Sequence, residues 1–204
     1  VLDDGGGNWR IKFLSSGTFT PLKNMVIDVF LVGGGGGAGS SYCGEGGAGY
    51  TTTVRSVVLT ADTAYSIVVG AAGTNGNPSS AGGETTAFTA SAAGGKNTSN
   101  GTSSSKRPGG AGGSGGAGYV SPVATTTGGT DGGDGTSSAT TGGKGQGTTT
   151  REFGEADGTL YASGGGSNLT ATVSNSGNGG RNGITSIEPA DGIVVIRQHK
   201  EVAA

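Results

Sequence analysis

The chain has 204 residues, of which 48 are Gly, 27 Thr and 22 Ser, with a formal net charge of -2 at pH 7. Leu, Ile, Val and Phe total 34, below the share with which ordinary domains fill a core, yet the charge is too balanced for disorder by self-repulsion. Five prolines and irregular glycine spacing exclude a collagen triple helix, and 12 basic against 14 acidic residues argues against a nucleic-acid binder.

Trp9-Arg10-Ile11-Lys12-Phe13 alternates apolar and basic residues, as a half-buried strand does. Phe19 and its flanking threonines read as a second strand, ended by Pro21. Residues 25–32 are nearly continuous in Val, Ile, Leu and Phe, the pattern of a strand buried on both faces, with Asp28 the exception. Segments 50–59 and 64–69 are two further strands, and Thr60-Ala61-Asp62-Thr63 between them predicts a hairpin turn. Shorter strands are expected at 85–90, 148–153, 159–162 and 169–173, and Ile193-Val194-Val195-Ile196 closes the series. No stretch carries the i, i+3, i+4 periodicity of a helix. The ordered apolar part is all β, a sandwich.

The apolar residues are unevenly spread. Of the 34, 24 lie in 9–32, 54–69 and 184–196, whereas 94–147 holds two, Val120 and Val123. That middle segment cannot fold around an apolar core of its own. Glycine runs recur at 33–39, 44–49, 109–118, 128–135, 142–147, 164–166 and 177–183. The run 109–118 reads GGAGGSGGAG, so Ala111, Ser114 and Ala117 recur at the three-residue period of a polyproline-II helix. As one straight rod it would span about 31 Å, at about 3.1 Å per residue. A lone run cannot order, because fixing each residue costs about 1–2 kcal/mol against about 1 kcal/mol per net hydrogen bond. Several runs side by side share their bonds. The residues leave both a packed bundle of polyglycine II helices and a set of flexible linkers open.

Motifs for chemistry are weak. Gly44, Gly46 and Gly49 fit G-x-G-x-x-G, but strand-like Thr51-Thr52-Thr53-Val54 follows where a dinucleotide fold needs a helix. One approximate nonapeptide repeat around Asp131 and Asp134 leaves calcium open, although Ser137 stands where the repeat needs a carboxylate. His199, the sole histidine, reads as a solvated tail residue, which removes any His-based triad, and the sole Cys43 reads as a small packed residue. Glu152 and Glu155 are a carboxylate pair of the kind hydrolases use, but the reading is non-enzymatic, without cofactor or catalytic residues. The longest apolar run spans eight residues, so no membrane insertion is expected, and no signal peptide is visible. The chain starts at Val1, the mark expected of a piece of something longer.

The segments WRIKFLSSGTFTP, IDVFLVGGGGGAG, GYTTTVRSVVLTADTAYSIVVGAAG, GGETTAF, KGQGTTTREFGE, LYASGGG and GIVVIRQH, in this order, resemble the glycine-rich domain of phage and prophage tail-fibre or tail-tip proteins. The resemblance implies a mainly β fold with essentially no α-helix: a jelly-roll or TNF-like β-sandwich with a packed layer of polyglycine II helices. On it the chain is a single glycine-rich domain, 1–204. The β core comes from 9–32, 50–69, 85–90, 148–173 and 184–199, and the glycine layer from 33–49, 94–147 and 164–183. The resemblance further implies attachment to a host cell-surface glycan or protein, a place in a tail-fibre or tail-tip assembly on a virion or extracellular particle, and a homotrimer. Contact loops would fall at 74–81, 97–107, 119–127 and 167–176, with Lys106, Arg107, Tyr119 and Asn168 as contact candidates. Tyr119 is the aromatic among those loops, and adhesive tips usually anchor through aromatics. The alternative is a structural or oligomerisation module without a ligand.

Overall fold

A computed structural model describes residues 2–5, 8–101, 107–119, 126–136, 142–182 and 186–199. Its strands are β1 (Leu2–Gly5), β2 (Asn8–Phe13), β3 (Gly17–Phe19), β4 (Met25–Val32), β5 (Thr51–Leu59), β6 (Tyr65–Val68), β7 (Thr85–Ala87), β8 (Ala90–Ala92) and β9 (Ile193–Gln198). They form two antiparallel sheets, ordered β1-β2-β9-β4-β5 and β3-β6-β7-β8. The protein is mainly β, consistent with the expected sandwich, and its short helical piece is a 3-10 turn at Glu152–Gly154.

Strand alternation explains why β4 reads as continuous grease. Ile27, Val29 and Leu31 point between the sheets, where they meet Leu59, Ile67, Ala87, Val194 and Ile196. Phe30 and Val32 point to the opposite face and pack with Phe153, Tyr161, Ile193 and Val195. The second face is covered by 151–162 instead of by a sheet. This segment was expected to supply strands, but it carries one isolated bridge, Arg151 to Leu160, and the 3-10 turn. Its role is to bring Phe153 and Tyr161 to 6.0 and 5.6 Å from the Phe30 ring. No strand forms at 169–173.

Asp28 lies on that covered face, fully buried. Arg55 and Arg197 approach its Oδ2 at 3.3 and 3.2 Å, and the Ser56 N–H donates to Oδ1 at 3.2 Å. Arg197 also pairs with Glu155 at 2.7 Å and lies over the Phe153 ring at 4.0 Å. Burial alone would push the Asp28 carboxyl up, but the bonds from His199, the Ser56 N–H and Arg197 outweigh it and hold the carboxyl below its usual value. Glu152 is buried as well, with Arg10 at 2.6 Å and Lys12 at 3.3 Å. Glu152 and Glu155 thus serve different cations.

The 60–63 turn is not a hairpin. It carries the chain from β5 in one sheet to β6 in the other. The 85–90 segment divides into β7 and β8 around Phe88, whose φ is 58°.

The strands lead into glycine segments: β4 into 33–39, β6 through Val69 into 70–76 and β8 into 93–98, while 44–50, 80–83 (through Glu84) and 186–192 lead into β5, β7 and β9. Antiparallel pairing places all six junctions at one end of the sandwich, so the glycine segments form a bundle on that end. Their order is visible in the hydrogen bonds. From Glu45 to Tyr50, successive N–H groups donate to Ala117, Gly180, Lys96, Ser114, Gly177 and Ala93 carbonyls at 2.7–3.0 Å. Residues three apart therefore reach the same neighbour, the signature of a helix with three residues per turn. The carbonyls of 45–50 in turn accept from Gly110, Gly165, Gly36, Gly113 and Gly33. Segment 33–38 repeats the arrangement, with Gly33 and Gly36 donating to 47–50, and Gly34 and Gly37 donating to 80–83. Glycine is required by this closeness: a Cβ on Gly46 would stand 1.9 Å from the Gly36 carbonyl oxygen.

One expectation fails in the glycine region. The 109–118 run is not a rod, because the chain bends at 112–114 and folds back. Gly116 donates to the Gly110 carbonyl at 2.9 Å and Arg107 bridges Tyr119 in antiparallel fashion. The reversal satisfies more backbone groups inside the bundle than a rod projecting from it could. Segments 70–76 and 80–83 also join the bundle, although 74–81 was expected to be a loop.

Candidate functional site

The bundle gives the molecule two unlike ends. At the base, β2 and β9 lie paired with Arg10 opposite Arg197, and the first and last described strands both reach it. At the far end, the glycine segments turn back through 39–43 and 76–79, and residues 97–100 lie against these turns. These turns are braced by side chains chosen for their short polar reach. The Asn100 Oδ1 accepts from the Ser40 N–H at 2.7 Å and its Nδ2 donates to the Ser40 hydroxyl at 3.0 Å. Thr98, buried, donates to the Gly44 carbonyl at 2.5 Å while accepting from the Gly39 N–H at 3.1 Å. Asn97 donates to the Ser79 carbonyl at 2.9 Å. Such local side-chain bonds replace the backbone partners a turning chain loses.

Two aromatic rings stand on this braced end. Tyr42 and Tyr119 meet edge to face, with centroids 5.8 Å apart and planes at 82°. Tyr42 is 43% exposed and has φ of 47°, a left-handed conformation that the 39–43 turn imposes. The Tyr119 N–H donates to the Arg107 carbonyl at 2.8 Å, and the Arg107 Nε is buried without a hydrogen-bond partner. The two rings thus form an aromatic surface, with Arg107 joined to Tyr119 through the backbone.

Of the four contact candidates, the structure thus brings Arg107 and Tyr119 together. Lys106 lies outside the described residues. Asn168 is exposed, but its Oδ1 accepts from the Gly128 N–H at 3.0 Å, so its side chain holds the 166–169 turn against a neighbouring glycine segment. Tyr42 was missed. Its place within YCGEGG, between glycine runs, marks a turn at which a large ring has no core to enter, and that signal was available.

The chain from residue 14 to 197 matches the family model described as a glycine-rich domain. The chain belongs to this glycine-rich domain family. Among curated proteins none matches it. Within the glycine-rich domain, other groups with chemical potential are accounted for by local bonding. Burial, helped by the charge of Glu45, pushes the Cys43 thiol up to about 11, and the thiol donates to the Gly39 carbonyl at 2.9 Å. Cys43 is therefore an unreactive thiol at neutral pH. Asp131 accepts from Thr149 at 2.5 Å and Arg151 at 3.2 Å, and Asp134 accepts from the Gly145 N–H at 2.6 Å. Both aspartates tie glycine segments to their surroundings, and the described residues hold no group of three His, Cys, Asp or Glu able to ligate a metal ion. No helix among the described residues is long and apolar enough to cross a membrane.

Glu45 is the exception to this quiet picture. It sits in the bundle with its Oε2 accepting from the Asn182 N–H at 2.7 Å. Burial pushes its carboxyl up to about 7, against the Asn182 bond and the charge of Arg181, which pull it down.

Proposed function

We propose that the chain is an attachment domain of a phage tail fibre, tail tip or related extracellular particle, which binds a host cell-surface glycan or protein through the bundle's far end. The observation that carries the reading is the Tyr42–Tyr119 pair, an exposed aromatic surface fixed on turns whose backbone is bonded into glycine helices. Rigid aromatic rings lose little freedom on binding, and a bonded scaffold removes the ordering cost that flexible Gly-Ser loops would carry. Tyr rings also stack on the apolar faces of sugars while Asn, Ser and Arg beside them supply hydrogen bonds.

Glycan arrays and whole-cell binding on candidate hosts test this. Tyr42→Ala is expected to weaken binding by tenfold or more, about 1.4 kcal/mol or greater, without lowering the unfolding temperature. Undiminished binding by Tyr42→Ala and Tyr119→Ala would move the contact surface elsewhere.

A second reading, a structural or oligomerisation module without its own ligand, is favoured by the base. There Trp9, Ile11, Phe19, Pro21, Leu22 and Met25 line an open groove of 530 Å3, and Leu22 is 91% exposed. An apolar groove of this kind suits assembly, including the homotrimer. A trimeric mass in solution with no host binding would support the structural reading over attachment.

A further inference from the structure

The sole histidine completes an arrangement that neither reading uses. Along β4 and β5 the register passes from Ile27 opposite Val57 to Val29 opposite Val54, so Asp28 faces two residues, Arg55 and Ser56. This is a β-bulge, and it gives Ser56 a φ of 57° on an exposed part of the strand. His199 follows β9 and donates its backbone N–H to the Val26 carbonyl at 3.1 Å. Its Nδ1 lies 2.6 Å from Asp28 Oδ1, and its Nε2 lies 3.1 Å from Ser56 Oγ.

The partners fix the proton positions. Asp28 already accepts from Arg55, Arg197 and the Ser56 N–H, and a carboxylate in that company acts as an acceptor. Nδ1 of the neutral imidazole must then carry the hydrogen and donate it. Nε2 is left with its lone pair, and the Ser56 hydroxyl donates to it. The order serine, imidazole, buried aspartate is the connectivity that activates serine nucleophiles on unrelated folds. Arg197, braced by Glu155 and the Phe153 ring, holds the aspartate from behind. Beside His199 a cleft of 340 Å3 is bordered by Trp9, Lys23, Asn24 and Met25.

We infer that Ser56 is a nucleophile activated by His199, reactive toward short-chain acyl esters. Oγ attacks the ester carbonyl carbon while Nε2 takes the hydroxyl proton. The carbon–oxygen bond to the alcohol breaks, and the alcohol leaves with the proton from Nε2, giving acyl-Ser56. Water then passes a proton to Nε2 as its oxygen attacks the acyl carbon, the bond from that carbon to Ser56 Oγ breaks, and Oγ takes the proton back from Nε2 as the carboxylic acid leaves. The Ser56 N–H is engaged by Asp28 and is not free to stabilise an oxyanion, so turnover is slow and acylation is the step to detect. The inference is independent of the attachment reading, since Ser56 and His199 lie at the base.

The test treats the intact chain with a fluorophosphonate probe and, separately, with p-nitrophenyl acetate. One probe per chain is expected on the peptide containing Ser56, with none on Ser56→Ala. The His199→Gln variant is expected to react about 100-fold more slowly, the usual scale of a lost general base. Labelling of Ser56→Ala at the parental rate, or a label placed away from Ser56, would overturn the inference. Should His199→Gln unfold, Ser56→Cys supplies a second measure in the folded parent. Its new thiol is expected to react with iodoacetamide well above the rate of an ordinary surface cysteine, with Cys43 buried and silent. An ordinary rate there overturns the inference as well.

Discussion

Glu45 shows how a single side chain reports on the bundle around it. In an unfolded chain its carboxyl ionises near the ordinary value of 4.5, whereas in the folded protein it keeps its proton up to about 7. Between those values the folded state binds more protons, so stability falls as pH rises through the window. The full loss is about 3 kcal/mol, at about 1.4 kcal/mol per pH unit of difference. Denaturant melts from pH 4.5 to 8 should show this decline, and Glu45→Gln should flatten it while still offering an oxygen to the Asn182 N–H. A parental stability that is level or rising over this range would mean that Glu45 is solvated, and with it the neighbouring glycine segments. Such residues were poorly legible in the sequence. Glu45 among glycines looked like any surface carboxylate, and His199 near the chain's end looked solvated, because each acquires its partners from segments more than a hundred residues away. Asp28 was noticed as an exception, but its meaning depended on two arginines brought by β5 and β9.

At the scale of elements, legibility follows how local the cause is. The strands β2, β4, β5, β6 and β9 were readable because alternation and burial on both faces are written into consecutive residues. Strands expected from 148–173 did not form, since the aromatics Phe153 and Tyr161 are there to cover Phe30, a demand set by a distant strand. Turn 60–63 looked like a hairpin because turn chemistry does not specify whether the next strand pairs or crosses to the other sheet. The three-residue spacing in 109–118 was real, yet it did not announce the reversal at 112–114. What segments 33–37 and 45–50 have in common is full engagement of consecutive N–H groups, and this predicts their exchange behaviour. Amides of Gly33 to Gly37 and Glu45 to Tyr50 should exchange as slowly as those of β4, through global unfolding. Mass-resolved or NMR hydrogen exchange reads this directly. Exchange at the rate of an open Gly-Ser linker would separate these segments from the ordered part of the fold.

For the molecule as a whole, the question is whether the apolar sandwich and the glycine bundle are one cooperative unit. Six junctions link strand to glycine segment with at most one residue between, and Gly33 continues the β4–β5 ladder by donating to the Tyr50 carbonyl at 3.0 Å. Backbone pairing therefore crosses the boundary that side-chain chemistry draws. Damage deep in the bundle should be felt at the base, where Trp9, the sole tryptophan, reports on the sandwich. Gly46→Ala is the sharpest such lesion, because its Cβ would stand 1.9 Å from a backbone oxygen that cannot swing aside as a side chain would. A cost of about 3–5 kcal/mol is expected, in the range of severe overpacking. Gly17→Ala is the control, on an exposed strand with nothing within 4 Å of the added carbon, and should change stability by less than about 0.5 kcal/mol. If the two layers fold together, Trp9 fluorescence in the Gly46→Ala protein will show one transition displaced to lower denaturant, coincident with that seen by circular dichroism. A Trp9 transition left at its parental midpoint would mean that the sandwich stands without the bundle. The glycine helices would then be a mounted attachment and not part of the frame that holds Tyr42 and Tyr119 in place.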